Sequence, residues 1–308
     1  MLTLHRELRM PPAPVRRIKG PMRIDAHQHF WRYRSEDYPW IGTGMDLLAQ
    51  DRLPYQFQPL LDAQGLHASI TVQARPGHEE TAFLLEMARR DARIAGVIAW
   101  DDIASPQLAE RMEQWGRPKM LGLRHPMQDE DDAAQALAQA QFNQGVRWLQ
   151  ERDYVLEVLT HERHLPQLRQ LCALHDQHWV VLNHLGKPAL KEFRKGRAAY
   201  ERWRQQLHEL AAMPHVACKI SGLLTEADWL RGLCTRDFDH IVQCLDTALE
   251  LFGPQRLMFG SDWPVCLLAA SYARVVAVVR EWAARRLSPA DQDALWGESS
   301  ARIYGLMP

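Results

Sequence analysis

Residues 23–33 read RIDAHQHFWRY. A short apolar run ends in two histidines one residue apart, followed by an aromatic stretch. In a doubly wound open sheet the first strand leads into a glycine-rich turn that receives a phosphate. No glycine stands here, so the stretch argues against that fold. At the end of the first strand of a closed barrel, the same residues would point into the mouth, where such barrels keep their chemistry.

Further apolar runs follow. Strand candidates are 22–26, 68–73, 94–99, 120–124, 154–159, 179–183, 215–220 and 256–260. Several are short and continuously apolar, as expected of parallel strands covered on both faces. Between them lie helical stripes. In 237–252, Phe238, Ile241, Leu245, Leu249 and Phe252 share one face, and Trp203, Leu207, Leu210 and Ala211 do so in 199–213. Stretches 78–90 and 272–286 behave alike, and Ser288 with Pro289 marks a helix start. Alternation of this kind predicts an α/β protein, a single (β/α)8 TIM barrel over 22–308. Residues 1–21 are basic and proline-rich without a signal-peptide core, and read as a poorly ordered extension, with Met22 a sensible functional start. Residues 30–56 read as a loop folded over the barrel mouth.

Composition narrows the partners. The formal charge is -1 and no basic block stands out beyond the amino-terminal tail, which disfavours nucleic acid and anionic membrane. No apolar run approaches the ~18 residues of a membrane span. Five cysteines, an odd number with no C-x-x-C, fit a reduced cytoplasmic protein, and Cys172, Cys218 and Cys244 sit in apolar patterns as core thiols.

Side chains alternate along a strand. Asp25, His27 and His29 therefore share a face if the extended backbone continues, with Ile24 and Ala26 turned toward the outer helices. Imidazoles suit zinc and related metals, and a pair of hydrogen-bonded loop histidines is the plainer alternative. His184 shares parity with Val180 and Leu182 and tops strand six. In 256–266, RLMFGSDWPVC, Met258, Gly260 and Asp262 share a face, with Leu257 and Phe259 facing the helices. Asp262 would serve as a general base or metal ligand, or else cap the next helix. Barrel closure makes strand eight the neighbour of strand one, so Asp262 should meet His27 and His29. Arg124 and His125 end strand four. Lys219, inward with Ala217, requires either a substrate oxygen or a carboxylate, and Glu157 is the internal candidate. Trp31, Tyr33, Tyr38 and Trp40 suit either a lid stacked on a sugar face or packing on the rim.

The stretches IDAHQHFW, GLRHPMQDE, VLNHLGKP, CKISGLLTEADW and LMFGSDWPVCLLAASY together resemble the sugar-lactone hydrolases of the amidohydrolase superfamily, the L-fuconolactonase branch above all. The likeness runs from Met22 nearly to the carboxyl end. It implies hydrolysis of an aldonolactone to its acid, with L-fuconolactone or an L-galactono-, L-rhamnono- or D-arabinono-lactone as substrate. By the same likeness, catalysis falls to Asp262, His184, His27 and His29, and Arg124 and His125 match the family's strand-four arginine-histidine stretch; with Lys219 and Trp31 from the residue reading, these two are expected to bind substrate. A divalent ion, zinc foremost, would sit on His27 and His29 with His184 and Asp262 as further ligands; members of this branch that open lactones without a metal make a metal-free mechanism the alternative. The strand-five stretch YVLEVL departs from the family's aromatic-aspartate pattern, with Val155 at the aspartate position and Glu157 two residues on. Rival readings are a pyrone-dicarboxylate lactonase or metal-dependent decarboxylase on the same barrel, and a non-catalytic sugar-acid binding protein. A G-x-S-x-G elbow is absent, which disfavours serine-triad chemistry.

Overall fold

The computed structural model describes residues 22–130 and 132–306. The expected extension over 1–21 lies outside the described residues. Eight parallel strands follow one another around the sheet in sequence order. They are β1 (Ile24–Gln28), β2 (Ala68–Val72), β3 (Ile94–Ala99), β4 (Met120–His125), β5 (Val155–Val158), β6 (Val180–Leu182), β7 (Val216–Ile220) and β8 (Leu257–Phe259). The seam between β8 and β1 is closed just beyond β8 by a parallel bridge between Gln28 and Trp263. There His29 N–H donates to Trp263 O at 2.7 Å, and Asp262 N–H donates to His27 O at 2.8 Å. The result is the α/β barrel expected from the alternation of runs and stripes.

The helices form where the stripes predict. His78–Arg90 and Tyr272–Arg286 match their stretches end to end. Ser288 caps its helix, accepting from Asp291 N–H, with Pro289 first. Thr235–Phe252 buries Ile241, Leu245 and Phe252 against the barrel. Burying each such side chain is worth about 1.5–3 kcal/mol relative to exposing it. Cys172, Cys218 and Cys244 are buried free thiols. Among the described residues no helix is long and apolar enough to cross a membrane.

Two cores follow from strand alternation. Leu123, Leu156, Leu182, Cys218, Leu257 and Phe259 face the helices. Ile70, Val155, Val181, Ala217 and Met258 fill the interior, where Ile303 and Tyr304 from the carboxyl-terminal segment join them.

Parity along β1 and β6 differs from expectation. Ile24 and Ala26 belong to the interior, not to the helix side. The cause is a bulge: Asp25 pairs with Ser69 and Gln28 with Thr71, so β1 spends one extra residue there. Asp25 consequently faces the helix layer, where the Tyr272 hydroxyl donates to it at 3.1 Å. His27 and His29 come inward past the bulge. In β6 it is Val181 that faces the interior, while Val180 and Leu182 face the helices. His184 therefore does not reach the mouth by sharing their face. It turns inward because its backbone is left-handed, at φ 53° and ψ 36°.

Of the loop over 30–56, the last residues begin helix Pro54–Ala63. The rest buries Trp31, Tyr38 and Leu48 in a small cluster of its own, against Val265 and Leu268 beyond β8.

Candidate active site

Three imidazoles and one carboxylate meet at the carboxyl ends of β1, β6 and β8. Oδ1 of Asp262 lies 3.2 Å from His29 Nε2, 3.7 Å from His27 Nε2 and 3.9 Å from His184 Nε2. The rings of His27 and His184 are 4.5 Å apart, and those of His27 and His29 5.0 Å. The anticipated convergence of Asp262 with the histidine pair is therefore present, and His184 completes it.

Each imidazole is gripped at Nδ1 by a different partner. His29 Nδ1 lies 2.7 Å from the carbonyl oxygen of Val72. His184 Nδ1 lies 2.8 Å from Ser221 Oγ. His27 Nδ1 lies 3.4 Å from Lys219 Nζ. All three Nε2 atoms are thereby turned toward Asp262. Gly260 makes room for this arrangement, since a Cβ there would come within 2.5 Å of His27 Cβ. Asp262 sits in a left-handed backbone, φ 60°, that swings its carboxylate into the cluster.

Burial sets the charges. The His27 imidazole is pushed well below the usual range by burial and then by Lys219. His184 is pushed down to about 3, chiefly by burial. Burial alone would raise Asp262, but His184 and His29 outweigh it and hold the carboxyl below its ordinary value. The site thus pairs neutral imidazoles at 27 and 184 with an ionised carboxylate. Asp25, behind the cluster, is raised to about 6 by burial despite accepting from Ser261 N–H, His27 N–H and Tyr272.

The donor set fits a divalent cation. His27, His29 and Asp262 each offer one ligand atom, all within 4.8 Å of one another. A carbonyl only accepts, so His29 Nδ1 carries a proton, and Nε2 either shares a second proton with Asp262 or presents it a lone pair. A lone pair there faces a carboxylate oxygen at 3.2 Å, an arrangement that a proton or cation between them relieves. His27 Nε2, fully buried, has no hydrogen-bond partner. Two imidazoles and a carboxylate are zinc-type ligands, and Val72 O gives His29 the accepting Nδ1 partner such a ligand needs.

The other anticipated residues separate. Arg124 points into the site from β4, with Nη2 donating to Gln73 O and Nε unpartnered, and burial lowers its pKa. His125 packs on the Phe142 ring at 4.8 Å and lies 3.5 Å from Glu130. Trp31 is fully enclosed, its Nε1–H donating to Gln50 O at 2.9 Å, so rim packing is where the structure puts it. Of the two partners weighed for Lys219, the carboxylate is present: Nζ lies 2.6 Å from Glu157 Oε1, both side chains fully buried. Sequence reasoning missed Ser221 and Lys187. Ser221 lies two residues past Lys219, so alternation could have found it. Lys187 stands at the rim, 2.7 Å from Gln128 Oε1, and no spacing marks it.

A parallel eight-stranded barrel with H-x-H ending strand one, histidine after strand six and aspartate after strand eight defines a class of barrel hydrolases. The chain belongs to the amidohydrolase family, whose model matches residues 24–306. It is 60% identical over 287 residues to an L-fucono-1,5-lactonase of Burkholderia multivorans, covering 93% of this chain and 97% of the relative. An L-fucono-1,5-lactonase of Burkholderia ambifaria is 32% identical over 288 residues, 92% of this chain and 95% of its own. A crystal structure of a Burkholderia multivorans amidohydrolase with bound zinc superposes with a TM-score of 0.90 at 59% identity, over 93% of this chain and all of that one.

Proposed function

We infer that this chain hydrolyses a sugar aldonolactone, L-fucono-1,5-lactone first among them, to the open acid. The observation that carries the reading is the ring of three imidazole Nε2 atoms around Asp262 Oδ1, in a chain 60% identical to an L-fucono-1,5-lactonase. Asp262, ionised at neutral pH, accepts a proton from water as the water oxygen attacks the lactone carbonyl carbon. The tetrahedral adduct carries negative charge on the former carbonyl oxygen. Arg124 and the surrounding imidazoles offset that charge from buried positions, where such contacts count most. The carbon to ring-oxygen bond then breaks, and Asp262 returns its proton to the departing oxygen. No covalent intermediate with the protein is required.

We propose that one divalent ion, zinc foremost, is held by His27, His29 and Asp262. Bound there it would polarise the carbonyl and lower the pKa of water. The zinc in the related Burkholderia multivorans structure supports this. Arg124 would hold ring hydroxyls or the product carboxylate. The test is a panel of stereoisomeric aldonolactones, with a pyrone dicarboxylate lactone as contrast, read by acid release. Turnover of L-fucono-1,5-lactone above the others supports the reading. Turnover of only the pyrone lactone, or of none, overturns it.

A further inference from the structure

Beneath the imidazoles lies a second polar cluster that the proposed chemistry does not use. Lys219 Nζ donates to Glu157 Oε1 at 2.6 Å. The Tyr304 hydroxyl donates to the same oxygen at 2.6 Å, and Asn183 Nδ2 donates to Glu157 Oε2 at 2.8 Å. Lys219, Glu157 and Asn183 have no exposed surface. The cluster therefore joins β5, β6 and β7 to the carboxyl-terminal segment, inside a barrel otherwise packed with Val155, Val181, Ala217 and Met258.

Stability does not explain it. Taking two opposite charges out of water offsets most of what their attraction returns, and well-packed apolar side chains commonly do as well. What the pair supplies is direction. Glu157 is fixed at both oxygens, so it fixes Nζ, and Nζ lies against Nδ1 of His27. The other two imidazoles take their Nδ1 contacts from Val72 O and Ser221 Oγ. At His27 the contact runs the other way: an ammonium only donates, so Nδ1 accepts and the ring proton sits on Nε2, facing Asp262.

We propose that Lys219, anchored by Glu157, is the positioning residue for His27, with Tyr304 and Asn183 holding the anchor. It acts on the substrate only through the imidazole. This rests on the lactonase reading above. A missing grip should leave substrate binding intact and lower turnover by up to about 100-fold, because a misplaced group at the reacting centre commonly costs that much.

The experiment compares wild type, Glu157→Gln, Lys219→Met and the double variant Glu157→Met/Lys219→Met. Readouts are kcat and KM on L-fucono-1,5-lactone, melting temperature, and zinc affinity by competition with a chromophoric chelator. Each single change strands a buried group and lowers the melting temperature; the double change removes both charges and restores it. The proposal expects kcat of the double variant to stay about 10–100-fold down with KM within about 2-fold, while zinc affinity holds or rises because His27 Nε2 is freed of its proton. A double variant that regains wild-type kcat along with its melting temperature overturns it. Tyr304→Phe, which loosens the anchor without touching a charge, covers the case of a double variant that does not fold. It should lose several-fold in kcat at unchanged KM, and wild-type kcat there also overturns the proposal. If wild type turns over no aldonolactone, the functional reading fails, while zinc affinity still tests the grip on His27.

Discussion

Nε2 of His29 lies 3.2 Å from Oδ1 of Asp262, although 233 positions separate the two residues. The backbone beside them explains how. His29 N–H to Trp263 O and Asp262 N–H to His27 O are the bonds that close the seam between the first and last strands. Closing the barrel and assembling the site are therefore one event. A change that opens the seam should separate the imidazoles from the carboxylate before it unfolds the outer helices.

Asp262→Asn tests the base. The amide keeps the shape of the carboxylate but cannot take a proton from water. Turnover of L-fucono-1,5-lactone should fall by about 10²–10⁴-fold. Circular dichroism should remain that of wild type. Substrate binding, read by equilibrium titration, should persist. Normal turnover in this variant removes Asp262 from the chemistry; if wild type and variant bind equally and neither turns over, a sugar-acid binding role is favoured.

Gly260→Ala tests the packing behind His27. The added Cβ would lie 2.5 Å from His27 Cβ and 3.1 Å from His27 N. Neither neighbour can yield, because Asp262 N–H holds His27 O and the interior packs below. Overpacking of this kind costs about 1–3 kcal/mol. Denaturant titration should show that loss. Assayed where the variant remains folded, it should also lose turnover, since relief requires His27 to move.

Much of this architecture is legible in the chain because buried parallel strands leave continuous apolar runs. Alternation then correctly turns Met258, Lys219 and Glu157 inward, whereas Asp262, expected inward, gets there through a left-handed backbone beyond the strand. It fails where the backbone leaves the regular strand. The β1 bulge is a property of register between two strands, so it cannot be read from either one, and it sends Asp25 outward. Nothing in VLNHLGKP marks His184 and Leu185 as left-handed, a conformation rarely adopted by residues with a Cβ. Tyr304 reaches Glu157 from 147 positions away with no periodic signal. Trp31 shows the converse: an aromatic loop reads the same whether it stacks on a ligand or on itself.

Metal removal should separate a cation from a proton in the gap between His29 and Asp262. Dialysis against a chelator is expected to release about one zinc per chain and to lower turnover sharply, with recovery on adding zinc back. Elemental analysis before and after supplies the count. Full turnover in protein shown to be metal-free would assign that gap to a proton and leave Asp262 as base without a cation.

Glu80 should make stability depend on pH. Its carboxyl is buried and raised to about 7 from 4.5 by that burial, even though it accepts from Ala74 N–H and Arg75 N–H. Between these values the folded chain holds a proton that the unfolded chain has released. Stability therefore falls as pH rises through this window, and the contribution is fully retained only below about 4.5. At about 1.4 kcal/mol per unit, the span corresponds to roughly 3 kcal/mol at most. Glu80→Gln keeps the shape without the titration. Denaturant midpoints at pH 5 and pH 8 should show wild type losing ground to the variant at the higher pH. A difference that stays constant, or that changes in the opposite direction, would mean that Glu80 is ionised throughout and that the two backbone N–H groups and Arg75 outweigh its burial.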